Sequence, residues 1–387
     1  MRPLIRRGLE RLGATLLFLA VALCLAPLLV PPFLDRIYYR GPVSDHYDGA
    51  RFFNPEGDTG EMGPHSGFPW ARALRFLRGQ DRALWPKQVP VAPSRPPARV
   101  IGDAMRVTWI GHSTVLVQTR GLNILTDPVW SERTGPFAGG PFAPGPRRVR
   151  APGVRFADLP RIDLVLISHN HYDHLDLPTI ERLWARDHPL IVTALGNDTL
   201  LRWYGVPAVA RDWGGRVAVR PGITVIVERV HHWDSRWFRD RNRALWAGFT
   251  VTLPGGNLFF AGDTGFGDGR WIDLAARDGP FRLAILPIGA FQPRALMAGN
   301  HIGPVEAVDI FGRLRAAQAL AVHWGTFQLS NEPIDLPPRL LAATLRACGY
   351  AAPAPFRAQE AGVAWDVPAG APPAGRNGVP TAGCAVR

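Results

Sequence analysis

The stretch Ser168-His169-Asn170-His171-Tyr172-Asp173-His174-Leu175-Asp176 is the most informative part of this chain. Three histidines and one aspartate lie within its six residues 169–174, soon after the apolar run 162–167. Imidazole nitrogen and carboxylate oxygen suit zinc and its first-row neighbours, and a site without thiolates is typical of hydrolytic rather than structural zinc. A lone histidine would usually be an ordinary core or surface residue, but four such side chains this close together predict a metal site.

The spacing within this stretch predicts two ions. His169 and His171 are one residue apart, so a strand that continues through them would direct both to one face, where both could hold one ion. Asp173 and His174 are adjacent and cannot share that face, so we expect them, after a turn, to hold a second ion nearby. Catalytic sites keep an open coordination position, and further ligands are therefore expected from distant parts of the chain.

Three later apolar runs each lead into a potential ligand. They are residues 225–230 before His231 and His232, residues 258–261 before Asp263, and residues 319–322 before His323. A strand that ends in a polar ligand carries it to the rim of a sheet, where loops gather. Each signal is weak alone, because Asp-Thr-Gly occurs in ordinary turns and His323 could be a satisfied core histidine. Together they predict that the remaining ligands meet the first cluster at one sheet edge.

A series of motifs between about residue 100 and residue 340 follows the order of a known family. They are Thr108-Trp109-Ile110-Gly111-His112-Ser113-Thr114, Leu125-Thr126-Asp127-Pro128-Val129, His169 to Asp176, His232-Trp233, Phe260-Ala261-Gly262-Asp263-Thr264-Gly265, Pro287-Ile288-Gly289-Ala290 and His323-Trp324-Gly325-Thr326-Phe327. The chain resembles the metallo-β-lactamase superfamily and, more narrowly, the N-acylphosphatidylethanolamine-hydrolysing phospholipase D family. The histidine-aspartate motif is specific for the superfamily, and the last two motifs narrow the likeness.

The resemblance implies an α/β fold, a four-layer αβ/βα sandwich with the metals at one edge, to which this chain adds an N-terminal membrane helix. The residue patterns alone indicate less. Alternating patterns occur at residues 107–110, 115–118, 123–125 and 164–167, and strands alternate with helices after them. These features indicate only sheets covered by helices.

The resemblance also implies a ligand set for two zinc ions, although manganese and iron accept the same ligands. His169, His171 and His232 would hold one ion. Asp173, His174 and His323 would hold the other, and Asp263 would bridge both. The family has a single histidine before the tryptophan, which selects His232. His231 is then a neighbour that supports a ligand, with His231 as the ligand itself as the alternative.

Two further residues match family positions that contact the phospholipid phosphate, Tyr172 and His301. Their alternatives are a packed aromatic and a surface histidine. The implied reaction is attack of a metal-bound hydroxide on phosphorus, which releases an N-acylethanolamine and phosphatidic acid. Asp173 would orient the hydroxide and Asp263 would take its proton, so both are candidate catalytic residues.

Two other functions remain open. One is a metal-dependent lactonase or sugar-phosphate hydrolase of the L-ascorbate-6-phosphate lactonase-like type, which has similar motifs. The other is a membrane-tethered scaffold that binds metal without turnover. The chain contains no Walker loop and no dinucleotide fingerprint, which argues against nucleotide-driven chemistry.

The N-terminus is expected to be a membrane anchor. Four arginines precede residue 14, and residues 14–30 carry no charge. With residues 31–34 this segment reaches the ~20 residues needed to cross a bilayer. The alternatives are a cleaved signal peptide, with Ala20-Val21-Ala22 as its cleavage site, and an apolar helix packed on the domain. An anchor would leave the arginines in the cytoplasm and place the catalytic domain in the periplasm, at a bacterial inner membrane. Lys87 is the only lysine, a composition that fits a GC-rich bacterial genome.

The predicted organisation has four parts: an anchor or signal at 1–34, a connecting arm that wraps the core at 35–100, a catalytic domain at 101–365 and a disordered tail at 366–387. The net charge of +12 calls for an anionic partner. No nucleic-acid module is recognisable, so we expect a phospholipid substrate and a membrane rather than nucleic acid.

Two smaller features leave alternatives open. Trp233, Trp237, Phe238 and Trp246 lie among arginines and could form a lipid-facing rim of the site or a loop whose aromatics pack inward. Cys348 and Cys384 could form a disulfide in an oxidising compartment.

Overall fold

The computed structural model describes residues 2–34, 36–57, 74–76, 78–140, 143–237 and 239–369. The fourteen strands within these residues form two seven-stranded sheets. The strands are β1 (Met105–Gly111), β2 (Thr114–Thr119), β3 (Leu122–Thr126), β4 (Leu164–Ile167), β5 (Leu190–Ala194), β6 (Val209–Arg211), β7 (Arg216–Arg220), β8 (Ile223–Glu228), β9 (Gly248–Val251), β10 (Asn257–Phe260), β11 (Phe281–Pro287), β12 (Gln318–Val322), β13 (Phe356–Arg357) and β14 (Ala364–Asp366). The four strands predicted before residue 168 are confirmed, because each predicted range lies inside β1, β2, β3 or β4.

The two sheets have matching plans. The first has the order β14-β1-β2-β3-β4-β5-β6 and the second the order β13-β12-β11-β10-β9-β8-β7. In the first, β1 to β3 pair antiparallel and β3 to β6 pair parallel. In the second, β7 to β10 pair antiparallel and β10 to β13 pair parallel. Parallel strands need crossover connections, which α-helices supply here except between β3 and β4, where a long loop with one 3₁₀ turn makes the connection.

Helices cover the outer faces of both sheets. They are α2 (Leu177–Asp187), α3 (Asn197–Arg202), α4 (Arg270–Ala275), α5 (Arg294–Met297), α6 (Pro304–Arg313) and α7 (Leu336–Ala347), with 3₁₀ turns at Phe156–Asp158 and Ala276–Asp278. Along β4, Leu164 and Leu166 join the core between the sheets, whereas Val165 and Ile167 join a second core that includes Ile180 of α2. This alternation is the period of two expected of a strand buried on both faces. The predicted four-layer sandwich is confirmed.

The N-terminal helix α1 (Arg2–Leu34) contains a segment, Arg6–Ala26, that is long and apolar enough to cross a membrane. None of that segment is buried inside the protein, and Phe18 and Leu23 are 71% and 76% exposed. The alternative in which this helix packs on the domain therefore does not describe the structure. A membrane anchor and a signal segment both fit a helix of this kind.

Both flanks of the sandwich are partly described. Tyr38, Tyr47 and Phe52 of the arm are buried in the cores. The arm aromatics Phe68 and Trp70, most of the predicted tail and Cys384 lie outside the described residues. The sheets run from Met105 to Asp366, and the four domain boundaries themselves stay a prediction.

Candidate metal centre

The predicted ligands lie in loops at one edge of the sandwich. The loop after β4 carries four of them, and the segments after β8, β10 and β12 carry His232, Asp263 and His323. The expectation that the strand would continue through His169 and His171 is wrong, because β4 ends at Ile167 and a loop leads into α2. The two imidazoles converge through the bend of that loop.

Three imidazoles form the first group. The Nε2 atom of His169 lies 2.8 Å from Nδ1 of His171, and that Nδ1 lies 3.4 Å from Nε2 of His232. Metal–nitrogen bonds of 2.0–2.1 Å in a tetrahedral site would place nitrogens about 3.3 Å apart. The spacing of the three nitrogens therefore suits one ion, and His169, His171 and His232 are the residues predicted for it.

A second group surrounds the Asp263 carboxylate. Its Oδ2 atom lies 3.1 Å from Nε2 of His174 and 3.0 Å from Nε2 of His323. Asp173 Oδ2 lies 3.6 Å and 3.5 Å from the same two nitrogens. Asp263 also falls within ligand distance of His169, a member of the first group. Its carboxylate thus lies between the two groups, where a bridging ligand would be.

Unpartnered polar atoms in this cluster fit a bound cation. Oδ1 of Asp263 is buried without a hydrogen bond, and so are Nε2 of His174 and Nε2 of His323, whose contacts with Asp263 Oδ2 lack hydrogen-bond geometry. Burying such atoms unsatisfied costs about 1–3 kcal/mol each, so native proteins rarely leave them so. Four overlapping sets of histidine and carboxylate atoms within 4.8 Å of one another occur here. The histidine-aspartate cluster can therefore bind divalent metal ions.

His112 belongs to this cluster, although the sequence analysis gave it no role. Its Nε2 lies 2.9 Å from Asp173 Oδ2, and its ring centroid lies 4.1 Å from that of His323. Its backbone carbonyl accepts a 3.0 Å hydrogen bond from the His323 N–H. It directly follows the apolar strand β1, as His323 directly follows β12, and that signal could have identified it.

Asp127 is the second residue that sequence reasoning missed. Its Oδ2 lies 2.6 Å from Nδ1 of His174 and accepts a 2.6 Å hydrogen bond from the Ser168 hydroxyl. The same hydroxyl lies 2.8 Å from Nδ1 of His169, and the Asn300 carbonyl lies 2.9 Å from Nδ1 of His232. A partner on Nδ1 fixes the ring so that Nε2 faces the metal. Asp127 directly follows β3, in the Leu-Thr-Asp-Pro-Val motif quoted above, and that position could have identified it.

The backbone is unusual at three of these positions. His112, Asp127 and His323 have φ values of 53°, 30° and 62°, in the left-handed region that non-glycine residues rarely adopt. Such conformations cost of order 1–3 kcal/mol each and cluster at functional sites, where the surrounding structure holds them.

Charge in the cluster favours metal binding. Burial lowers the pKa of His171 to about 3 and that of His301 to about 4, so both rings are neutral at pH 7. Burial alone would raise the pKa of Asp263, but the neighbouring His174 and His323 hold it well below its usual range. Burial would likewise lower the pKa of His323, but the Asp263 carboxylate outweighs it and raises that pKa to about 9. Metal ligands must be ionised carboxylates and neutral imidazoles, and metal binding therefore releases any proton held between them.

Of the two predicted substrate contacts, His301 lies against the cluster, whereas Tyr172 forms part of a cavity wall. His301 Nδ1 lies 3.7 Å from Asp263 Oδ2, and its ring centroid is 5.3 Å from that of His232. The Tyr172 hydroxyl donates a 2.7 Å hydrogen bond to the Arg236 carbonyl, and the Tyr172 ring lines a cavity of about 300 Å³. Their contacts with substrate stay predictions.

The aromatic residues near the site do not behave as one group. Trp246 is fully buried in the core, and Phe238 lies outside the described residues. Trp233 has its ring centroid 4.3 Å from that of His171, and Trp237 lines the cavity with Tyr172. Part of the predicted rim thus packs inward, and part of it faces the site.

Comparisons with known proteins agree with this geometry. The model of the β-lactamase superfamily domain matches residues 122–324. The N-acyl-phosphatidylethanolamine-hydrolyzing phospholipase D 1 of Caenorhabditis elegans is 37% identical over 243 residues, which cover 60% of this chain and 67% of that protein. An uncharacterized protein of Mycobacterium bovis is 39% identical over 251 residues, which cover 62% of this chain and 65% of that protein. The aligned part thus spans about two thirds of either relative's length.

A solved structure shows the same fold. The isothiocyanate hydrolase from Delia radicum gut bacteria superimposes with a TM-score of 0.50 at 19% identity, over 67% of this chain and 98% of that one. The superfamily model covers more than half of the chain, and the sandwich carries the expected cluster at its edge. The chain therefore belongs to the metallo-β-lactamase superfamily and is a metal-dependent hydrolase.

Proposed function

We propose that this protein is a dinuclear zinc phosphodiesterase of the phospholipase D type, which hydrolyses N-acylphosphatidylethanolamine or a related phospholipid. The ligand set is the one described above, His169, His171, Asp173, His174, His232, Asp263 and His323. The likeness to the nematode phospholipase supports the substrate class, because it extends over 60% of this chain at 37% identity.

The cavity beside Tyr172 is the observation that carries the lipid assignment. Tyr172 lies in the chain between two predicted ligands, His171 and Asp173, so one wall of this cavity belongs to the loop that carries four of the ligands. Most of its walls are apolar or aromatic: Pro136, Phe137, Ala138, Leu177, Pro178, Leu200, Tyr204 and Trp237. An acyl chain gains free energy from such walls at about 25 cal/mol per Å² of apolar area buried, whereas a sugar phosphate would need polar partners.

The residues around the metals have separable roles in this reaction. When bound, two divalent ions supply an activated water and polarise the phosphoryl group. Asp173, held by His112 Nε2 at 2.9 Å, orients the attacking water, and Asp263 accepts its proton. His301 donates a hydrogen bond to a phosphate oxygen, on which charge builds during attack. The water oxygen forms a bond to phosphorus, the bond from phosphorus to the ethanolamine oxygen breaks, and that oxygen takes a proton.

The N-terminal helix fits a lipid enzyme. We propose that α1 is an uncleaved anchor with its arginines in the cytoplasm, so that the sandwich faces the periplasm of a bacterial inner membrane. Arg36, two residues beyond the helix, lines the same cavity as Tyr172. The cavity would then lie close to the membrane surface, from which a phospholipid can enter.

Turnover of N-acylphosphatidylethanolamine by the full chain in detergent micelles tests this proposal. We expect release of N-acylethanolamine and phosphatidic acid that a chelator abolishes and added zinc restores. Parallel assays with a lactone and a sugar phosphate provide the comparison. No chelator-sensitive release from the phospholipid, together with hydrolysis of the lactone or sugar phosphate, would replace the lipid assignment by the alternative one.

A further inference from the structure

The proximal arm, residues 36–57, lies along the loop that carries His232. The Tyr38 hydroxyl donates a 2.8 Å hydrogen bond to Asp240 Oδ2, and the Phe52 N–H donates a 2.8 Å hydrogen bond to the Asn242 carbonyl. Tyr38 and Phe52 are 3% and 1% exposed. The arm is thus docked by buried contacts on the loop after β8, rather than loosely joined to the sandwich.

Two arm side chains reach the metal ligand itself and its neighbour. The Asn54 side-chain amide, in a residue 3% exposed, donates a 2.9 Å hydrogen bond to the His232 carbonyl. Glu56 Oε1 lies 2.6 Å from Nδ1 of His231, and its other oxygen pairs with the Arg229 guanidinium. The Glu56 side chain is 8% exposed. Buried charge-assisted hydrogen bonds of this kind are about twice as strong as neutral ones.

The same contacts extend to the loop that carries Asp263. The His231 N–H donates a 3.1 Å hydrogen bond to the Thr264 hydroxyl, and the Gly265 N–H donates a 2.6 Å hydrogen bond to the His231 carbonyl. A Cβ atom at Gly267 would lie 2.7 Å from His231 Nδ1 and 3.1 Å from Glu56 Oε1. The Glu56–His231 pair therefore packs between the segments that carry His232 and Asp263.

Other ligands are held differently. His174 and His169 are supported by Asp127 and Ser168, which belong to the first sheet and its loops. We propose that Asn54 and Glu56 are positioning residues for His232, so that the arm, which follows α1, controls retention of the ion held by His169, His171 and His232. This inference rests on the proposed metal binding and is independent of the lipid substrate.

The test uses the full chain loaded with zinc and dialysed against increasing chelator concentrations, with metal content measured per chain. We expect Glu56→Ala and Asn54→Ala to lose one of two ions at a chelator concentration about 10- to 100-fold lower than the wild type requires, the usual cost of removing a group that orients a ligand. The second ion should leave at the wild-type concentration. Glu56→Gln keeps an oxygen that can accept from His231 and should restore part of the retention.

Arg99→Gln is the matched control. Arg99, from the distal part of the predicted arm, makes a bidentate pair with Asp163 at 2.7 and 3.0 Å. This pair also joins the arm to the sandwich, but it lies at the end of β4 opposite to the ligands. It should release both ions as the wild type does. Cobalt replacing zinc provides a second readout, because the ligand-field spectrum of the weakened site should change in Glu56→Ala and not in Arg99→Gln.

Three outcomes would overturn the inference. They are wild-type retention of both ions in Glu56→Ala and Asn54→Ala, equal weakening of both ions, and equal weakening in Arg99→Gln. If Glu56→Ala does not fold, Asn54→Ala and Glu56→Gln test the same contacts with smaller changes. A chain that keeps two ions but does not hydrolyse phospholipid would contradict the proposed function and leave this inference standing.

Discussion

The two sheets contribute to the metal centre in different ways. The first sheet supplies His169, His171, Asp173 and His174 from one loop after β4. It also supplies Asp127, which follows β3 and supports His174 through Nδ1. The second sheet supplies single ligands after three separate strands, His232, Asp263 and His323. The four ligands of the first sheet are therefore close together in sequence. The three ligands of the second sheet come together only when β8, β10 and β12 pair in the correct register within one sheet.

This difference has a physical consequence. A local cluster is held in part by contacts between neighbours in the chain, such as the Ser168 hydroxyl 2.8 Å from Nδ1 of His169. Ligands on separate strands depend on strand register and on supports from elsewhere, such as the arm residue Asn54 at the His232 carbonyl. Each ion would take ligands from both sheets, so removing a support should weaken the ion whose ligand it holds: Asn54 the ion at His232, and Asp127 the ion at His174.

The largest effect is expected at Asp263, the residue that lies between the two halves. Asp263→Asn removes the negative charge that faces His174 and His323, and proton transfer to a positioned carboxylate is worth about 10²–10⁴-fold in rate. We expect a loss of that size in kcat on N-acylphosphatidylethanolamine, with an unchanged circular dichroism spectrum. Near-normal turnover would contradict both the bridging and the proton-accepting role.

The next effect concerns the support of the first sheet. Asp127→Asn keeps the shape of the side chain but removes the charge opposite His174 Nδ1. The affinity for the ion held by His174 should therefore fall by about 10- to 100-fold. Chelator titration of metal content measures it. Asp187→Asn, a buried carboxylate at the end of α2 that accepts the Ile162 N–H, is the control and should retain both ions. Loss of the ion held by His232, with retention of the ion held by His174, would contradict this prediction.

A smaller effect is expected in the cavity. Tyr172→Ala removes an aromatic wall, so KM for a long-chain N-acyl substrate should rise about 10-fold, equivalent to about 1.4 kcal/mol. Tyr172→Phe keeps the aromatic wall and loses only the hydrogen bond to the Arg236 carbonyl, which does not involve the substrate, so its KM should stay within about 3-fold of the wild type. Steady-state kinetics with long and short acyl chains separate the two. An equal rise for both chain lengths would argue against acyl binding in this cavity.

One further effect concerns the stability of the folded state at the end of β8, and not turnover or metal binding. Burial raises the pKa of Glu228 from 4.5 to about 7. The folded state therefore binds this proton more tightly than the unfolded state, and stability falls as pH rises from about 4.5 to about 7, then levels off. Glu228→Gln should match the wild type near pH 4.5 and exceed it by about 2–3 kcal/mol above pH 7 in denaturant unfolding.

The exposed carboxylate of Glu132 provides the control for that measurement. The pH profile of Glu228→Gln is therefore compared with that of Glu132→Gln, which changes a side chain that is 74% exposed. A Glu228→Gln variant whose advantage does not change between pH 4.5 and pH 8 would show that the buried carboxyl does not titrate in this range.

How far the site was predictable varies from residue to residue. His169, His171, Asp173 and His174 could be predicted because they are contiguous and follow a strand. His232, Asp263 and His323 could be predicted because each follows an apolar run, a signal that needs no knowledge of distance. His112 and Asp127 also follow strands, but nothing local shows that His112 meets Asp173 or that Asp127 meets His174, because those contacts span 61 and 47 residues.

The sequence by itself determined the strand pattern, the donor atoms of the metal site and the apolar N-terminal helix, because these follow from period-two alternation, residue chemistry and the length of an apolar run. Only the tertiary structure decided how His169 and His171 converge from a loop, which ring nitrogen each histidine directs inward, and that Asn54 and Glu56 hold the His232 segment. These features depend on contacts between segments far apart in the chain. The left-handed backbone at His112, Asp127 and His323 has the same origin, since surrounding packing must hold a conformation that the residues do not prefer.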